Sequence, residues 1–195
     1  MSQTVRAPRI PPVQPPYEPD LEASLMKWMP PGAEVDPLNI FRTFHVHPEL
    51  ASRIRPLGAG ILAHGLVEPR EREIVILRSC ARAGAEYEWG VHVSGFAAAV
   101  GLTNSEVNAT LAPGSGSFTL ERDRLLVDLV DELHESCNVT DELWDGLAGH
   151  YENDVLLELI VTACWYRLIS CVINAAGVQH EPWATRFPAE QASAA

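Results

Sequence analysis

The chain has 195 residues, 47% of them hydrophobic, with 14 Lys and Arg against 26 Asp and Glu for a formal charge of −12. That length and apolar content fit one globular domain with a real core and are too apolar for a disordered chain. An acidic chain without a basic cluster lacks the footprint that nucleic acid or an anionic membrane surface requires, so neither is an expected partner.

Residues 1–20 carry Pro8, Pro11, Pro12, Pro15, Pro16 and Pro19 and read as an irregular arm, either a loose tail or a strap on a neighbouring subunit. No apolar run of signal-peptide length precedes the core, so a cytoplasmic location is expected. A short helix is expected over Leu21–Met29, stopped by Pro30, Pro31 and Gly32, and another from near Pro37 through Ile40 and Phe44. Pro48–Ala63 repeats Leu50, Ile54, Leu57 and Ile61 at helical spacing, with Pro56 as a candidate kink.

Pro69–Ala83 is the clearest helix, with Pro69 in the first turn and Gly84 as its stop; Glu86–Val100 follows at once and ends at Gly101. Such a short connection makes the two helices packing neighbours. Thr103 and Glu106 form a capping-box signature for a helix to Leu111. The glycine-rich stretch from Ala112 to Ser117 lacks a following Lys-Ser/Thr and a preceding strand, and so reads as a connector rather than a phosphate loop.

Thr119–Ser136 and a helix capped by Thr140 are amphipathic, whereas Leu156–Ala176 is apolar nearly all round. That last stretch is close to membrane-span length, but Glu158 and Arg167 within it argue for burial by other helices or subunits. No segment alternates with period two. The expected organisation is an arm over residues 1–20, one all-helical domain over 21–185 and a tail over 186–195.

Cys80, Cys137, Cys164 and Cys171 form no CxxC and no zinc spacing, and read as small buried core thiols. His45 and His47 lack a matched third metal ligand, and His64, His134 and His150 have no visible partner. Glu88 and His92 are four residues apart, one face of one helix, with Glu73 on the helix before. A carboxylate raises an imidazole pKa while burial lowers it, and a balance near neutrality suits acid/base catalysis. The same spacing also describes a solvated ion pair worth only about 0.2–0.5 kcal/mol.

The run from Arg70 to Arg78 followed by Ala85-Glu86-Tyr87-Glu88-Trp89-Gly90-Val91-His92 resembles the carboxymuconolactone decarboxylase and alkylhydroperoxidase D superfamily. Its peroxidase branch has a glutamate followed by Cys-x-x-Cys-x-x-x-His. Here Glu73 and His92 take the glutamate and histidine places, while Ala85 and Glu88 replace the cysteines, as in the non-redox EYEWxxH form. The resemblance continues in Asp131–His134, Thr140–Trp144, Tyr166 and Asn174–Val178, and covers roughly residues 40–180.

The resemblance implies an all-α helical bundle that assembles as a homo-oligomer, a dimer, trimer or hexamer. It implies a cofactor-independent, metal-free lyase, decarboxylase-like, acting on a small carboxylated lactone or enolisable carbonyl compound. Glu73, Glu88 and His92 would be catalytic, and Trp89, Tyr166 and Asn174 would contact substrate, although Trp89 reads more readily as a packing residue and Tyr166 and Asn174 equally as structural ones. Two rivals are a thiol peroxidase, which the missing cysteine pair disfavours, and a non-catalytic ligand-binding or assembly protein that keeps the fold.

Overall fold

The structure is a computed structural model that describes residues 7–29 and 36–188. Nine α-helices, and no strand, occur among the described residues: α1 Pro19–Met26, α2 Asn39–Phe44, α3 Pro48–His64, α4 Pro69–Arg82, α5 Glu86–His92, α6 Asn104–Ala109, α7 Glu121–Ser136, α8 Asp141–Ala148 and α9 Asn153–Ala176. The expected helix over Glu86–Val100 is α5 running into a π-helical turn, Val93–Ala97, which begins at the residue after His92. Proteins often place such wide turns at functional sites, and hydrophobic periodicity carries no mark of it.

α4 is the axis of the bundle, packed by α5, α7 and α9. Ile74, Val75, Ile76, Leu77 and Cys80 are fully buried, and each large aliphatic side chain among them contributes about 1.5–3 kcal/mol by leaving water. Because three helices surround α4, its polar residues go inside as well: Glu71, Glu73, Arg78 and Ser79 are all buried.

The reversal into α5 follows from Gly84, which takes the left-handed conformation at φ 62°. The Ala85 amide then donates to the Cys80 carbonyl at 2.8 Å and the Gly84 amide to Ala81 at 3.0 Å. This hydrogen-bonded helix ending satisfies the last carbonyls of α4 and aims α5 back across it.

Gly90 answers a different need. A Cβ there would lie 2.0 Å from the Thr185 carbonyl oxygen, so only glycine lets the segment after α9 cross α5. That segment is pinned by the Phe187 amide and the Arg186 guanidinium, both donating to the Glu86 carboxylate, at 2.8 and 2.9 Å.

Two polar side chains of α9 tie down its surroundings. Glu158 accepts from the amides of Leu66 and Val67, at 2.6 and 3.2 Å, and Arg167 donates to the Leu133 carbonyl at 2.9 Å. The inward side of α9 is buried, while Leu157 and Leu168 are 63% and 45% exposed. Of the proline arm, residues 1–6 lie outside the described residues, but Arg9 and Ile10 donate to the Ala176 carbonyl at the end of α9, at 2.8 and 3.1 Å. Val13 donates to Arg42 on α2 at 3.2 Å, so this stretch lies along its own chain.

The cysteine expectation needs correcting. Cys80 is buried, but Cys137, Cys164 and Cys171 are exposed. The last two lie on the outward side of α9, where apolar sequence had been read as interior. Cys137 instead ends α7 in the left-handed conformation, φ 57°.

Candidate functional site

The crossing of α4 and α5 brings Glu73, Glu88 and His92 together. His92 Nδ1 is 2.8 Å from Glu73 Oε2, both side chains being almost completely buried. On the other side of the ring, Nε2 is 3.6 Å from Glu88 Oε1, and the Glu88 side chain keeps 12% of its exposure. The imidazole is thus held between a deep carboxylate and one that reaches toward solvent. Burial of all three rules out the solvated ion pair that the spacing also allowed.

Burial pulls the His92 pKa down, but the Glu73 carboxylate, and after it Glu88, outweigh that and raise it to about 10. The expected balance near neutrality is therefore replaced by an imidazolium throughout the physiological range. With Nδ1–H donated to Glu73, the Nε2–H is the proton on offer, and it faces Glu88.

The rings around His92 fix its plane. Phe96 stacks on it at 5.0 Å and Tyr166 meets it edge-on at 5.0 Å. Tyr166 is buried, and its hydroxyl makes no hydrogen bond within the described residues. Burial first, and then the charges of Glu88 and Glu73, push the Tyr166 phenol well above its usual range, so it remains a neutral donor.

The other two expected substrate contacts are placed elsewhere. Trp89 is 1% exposed, donates its indole N–H to Thr110 Oγ1 at 3.0 Å and packs edge-on against Phe187 at 5.2 Å. Asn174 is exposed, and its amide donates to the Ala83 carbonyl at 2.8 Å, tying α9 to the end of α4. Each therefore has a structural partner, Thr110 for the indole and Ala83 for the amide, and neither makes a hydrogen bond or ring contact with His92 among the described residues.

Two residues of the site escaped the sequence reading, although spacing held a signal for each. Phe96 is four residues after His92, and Cys80 is seven after Glu73, on the same side of α4. Burial, followed by the charge of Glu88, pushes the Cys80 thiol well above its usual range. It stays protonated and is no thiolate nucleophile.

His45 and His47, the metal-ligand candidates, have structural partners. His45 is buried, with Nδ1 at 2.7 Å from the Phe41 carbonyl and Nε2 at 3.0 Å from Ser24 Oγ. His47 caps α3 by accepting from the Leu50 amide at 3.3 Å. A separate cavity of about 10 Å³, room for one water, lies between Ser79, Val130, Leu133, His134, Ala163, Cys164 and Arg167, away from the His92 cluster.

Comparison with known proteins finds a family model that matches part of the chain and solved structures of the same fold. Residues 48–115, from α3 through α4 and α5 to the loop after α6, match the model of the carboxymuconolactone decarboxylase family. No curated protein matches the chain in sequence. Among solved structures, the debrominase Bmp8, as a cysteine-to-alanine variant in complex with 2,3,4-tribromopyrrole, is similar at 21% identity and a TM-score of 0.71, covering 89% of this chain and 91% of that one.

A protein of unknown function from Agrobacterium tumefaciens, provisionally assigned as the antioxidant defence protein AhpD, is similar at 18% identity and a TM-score of 0.63 over 71% of this chain and 94% of its own. A peroxidase-related protein from Silicibacter sp. is similar at 10% identity and a TM-score of 0.63 over 75% and 78%. At these identities the structures speak for the fold, and the family model is seated on the helices that build the site. Residues 48–115 thus resemble the carboxymuconolactone decarboxylase family, and the chain as a whole shares the fold of these AhpD-like structures.

Proposed function

We propose that the chain is a cofactor-independent acid/base enzyme, a decarboxylase-like lyase acting on a small carboxylated lactone or related enolisable carbonyl compound. The observation that carries this reading is the buried row Glu73–His92–Glu88, with a charged imidazole between two carboxylates. Such a row stores a proton in a water-poor place and presents it through Nε2 beside the more accessible carboxylate.

In the proposed reaction the bond between the substrate carbon and its carboxylate breaks, carbon dioxide leaves, and the electron pair passes into the conjugated carbonyl as an enolate. His92 Nε2–H then protonates the carbon, and Glu88, nearer to solvent, returns a proton to the ring. Glu73 holds the imidazole in place and balances its charge. The neutral Tyr166 hydroxyl supplies a hydrogen bond to the enolate oxygen. Thiol chemistry is disfavoured because Ala85 and Glu88 stand at the two cysteine places and Cys80 is a buried, protonated thiol.

The test is release of labelled carbon dioxide from a panel of carboxylated lactones and β-keto acids. His92→Ala and Glu88→Gln should each lower turnover by about 10²–10⁴-fold, the usual contribution of a general acid or base, with the circular dichroism spectrum unchanged. Turnover that survives both substitutions, or that disappears in a variant lacking all four cysteines, counts against the reading.

We also propose that the chain works as a homo-oligomer. Support comes from the outward side of α9, where Leu157, Cys164, Leu168 and Cys171 form an exposed, uncharged stripe at helical spacing. Light scattering should show a multiple of the chain mass, and Leu168→Glu should reduce it. A wild-type monomer at micromolar concentration would refute assembly.

A further inference from the structure

His92 turns its two nitrogens, in the plane of its ring, toward Glu73 on α4 and Glu88 on α5. The faces of the ring are held by other groups. Tyr166, from α9, stands perpendicular to the imidazole, at 89°, and is buried. Phe96 lies nearly parallel to it, at 29°, with the ring centroids 5.0 Å apart. A cation over an aromatic face and within about 6 Å of its centroid is attracted by the negative charge of that face.

Exposure alone would say little about Phe96, since single exposed apolar side chains are ordinary. Its place in the stack says more. Phe96 is 38% exposed and His92 3%, so the phenyl ring is the solvent-facing member and the imidazole the enclosed one.

The backbone is built to hold Phe96 there. It belongs to the π-helical turn Val93–Ala97. On one side, the Ser94 hydroxyl is fastened to Thr185, whose amide donates to it at 2.9 Å and whose hydroxyl lies 2.9 Å away. On the other, Ala97 is buried and its carbonyl accepts from the Leu102 amide at 2.9 Å. Such wide turns are rare and recur at functional sites; this one is tied down on both sides of the residue that stacks on His92.

An enclosed cation needs compensation from its surroundings, because it has lost its water. Glu73 and Glu88 supply it in the plane of the ring. A phenyl face supplies it above the plane, and does so without adding a charge.

We propose that Phe96 is a positioning residue for the acid/base reaction: its π face, laid on His92 by the π-helical turn, holds the imidazolium between Glu73 and Glu88 with Nε2–H presented beside Glu88. Its part in turnover rests on the acid/base reading. Its hold on the imidazolium does not.

The test changes the charge distribution of one ring and almost nothing else. Full-length protein is made with mono-, di- and trifluorophenylalanine in place of Phe96, which keep the shape of the side chain while draining its π face. Nitrogen NMR of the His92 side chain, assigned by its absence in His92→Asn, follows protonation in each protein. The midpoint should fall stepwise with added fluorine, by about one unit in all. Phe96→Leu, which has bulk and no π face, should lower it by a similar amount, and Phe96→Tyr should keep the wild-type midpoint.

A midpoint indifferent to fluorine overturns the proposal even if Phe96→Leu moves it, because an effect of Leu alone is one of packing or water entry. A wild-type His92 that is neutral in the folded protein overturns it as well, since there is then no cation to hold. Should alkaline unfolding overtake the titration, the protonated fraction at one fixed pH short of unfolding gives the same ranking.

Turnover separates this proposal from the reading beneath it. For a substrate that releases carbon dioxide, the alkaline limb of the pH profile should move down with the resonance, because only the protonated ring donates. A resonance that moves with fluorine while the limb stays put, or while no substrate turns over, sinks the acid/base reading and leaves the hold of Phe96 on His92 standing.

Discussion

α4 buries charge on two of its sides, and the two sides are finished differently. Toward α7, Arg78 is 2% exposed and engages every nitrogen of its guanidinium: Nε and Nη2 on Asp131 at 2.7 and 2.6 Å, and Nη1 on the Thr110 and Ala112 carbonyls at 2.9 and 2.6 Å. Toward α9, Glu73 gives one oxygen to His92 and leaves Oε1 buried with no partner, as are Arg72 Nε and Thr162 Oγ1. A completed network holds the chain in one arrangement, whereas an incomplete one keeps capacity for something that binds. Among the described residues on the α7 side only Arg82 Nε, 3.3 Å from Asp131, lacks a well-formed hydrogen bond, so that side of the helix is the more nearly completed of the two.

The comparison breaks most visibly at Arg78. Arg78→Ala strips Asp131 of its best partner and two carbonyls of their donor, and removing one member of a buried ion pair costs about 3–5 kcal/mol. Arg82 remains 3.3 Å from Asp131, which places the expected loss near the lower end, about 3 kcal/mol. Urea denaturation measures it. Arg72→Lys in the same assay should move stability far less, since Arg72 has little to lose. Equal losses at the two positions would erase the distinction.

The second expectation concerns pH. The His92 pKa is raised in the folded protein, to about 10 from 6.5. Its contribution to stability is therefore complete below about pH 6.5, where the folded and unfolded histidines are both protonated, and is lost as pH rises toward 10. Wild-type stability minus that of His92→Asn should fall steadily across this window. His134 and His180, whose pKa values are lowered by burial first and by neighbouring arginines second, act with the opposite sign and mostly below it. A flat difference would mean that His92 is neutral in the folded state and that Glu73 and Glu88 do not hold it charged.

Much of this was legible beforehand. The helices follow from local chemistry that a sequence displays openly: Pro69 opening α4, Gly84 ending it, Thr103 and Glu106 closing a capping box at α6, Thr140 capping α8. Glu73 and His92 were legible through the family motif, and their contact through the short reversal at Gly84. Exposure on α9 was not, because an apolar helix surface facing outward and one facing inward have the same composition. The roles of Trp89 and Asn174 were hidden for a related reason. Each is decided by one distant partner, Thr110 or Ala83, that spacing along the chain does not bring into view. The charge state of His92 depends on depth, and depth is a property of the packed bundle.

Trp89 provides the finest test of the same distinction, because it lies three residues from His92 and yet belongs to the completed side of the molecule. Its indole N–H reaches Thr110 Oγ1, and that hydroxyl donates in turn to the Val107 carbonyl at 2.7 Å. Thr110 also offers its own carbonyl to Arg78, so the indole is continuous with the Arg78 network and not with the histidine. Trp89→Phe keeps most of the apolar bulk and removes the hydrogen bond, for an expected cost of about 1 kcal/mol in stability, read as a shift of the urea midpoint. Thr110 Oγ1 loses a donor but keeps its acceptor, which limits the damage. Turnover per folded molecule should stay within about twofold of wild type, because no step of the proposed chemistry passes through an engaged, buried indole. A tenfold loss of turnover with stability intact would move Trp89 from the scaffold into the site.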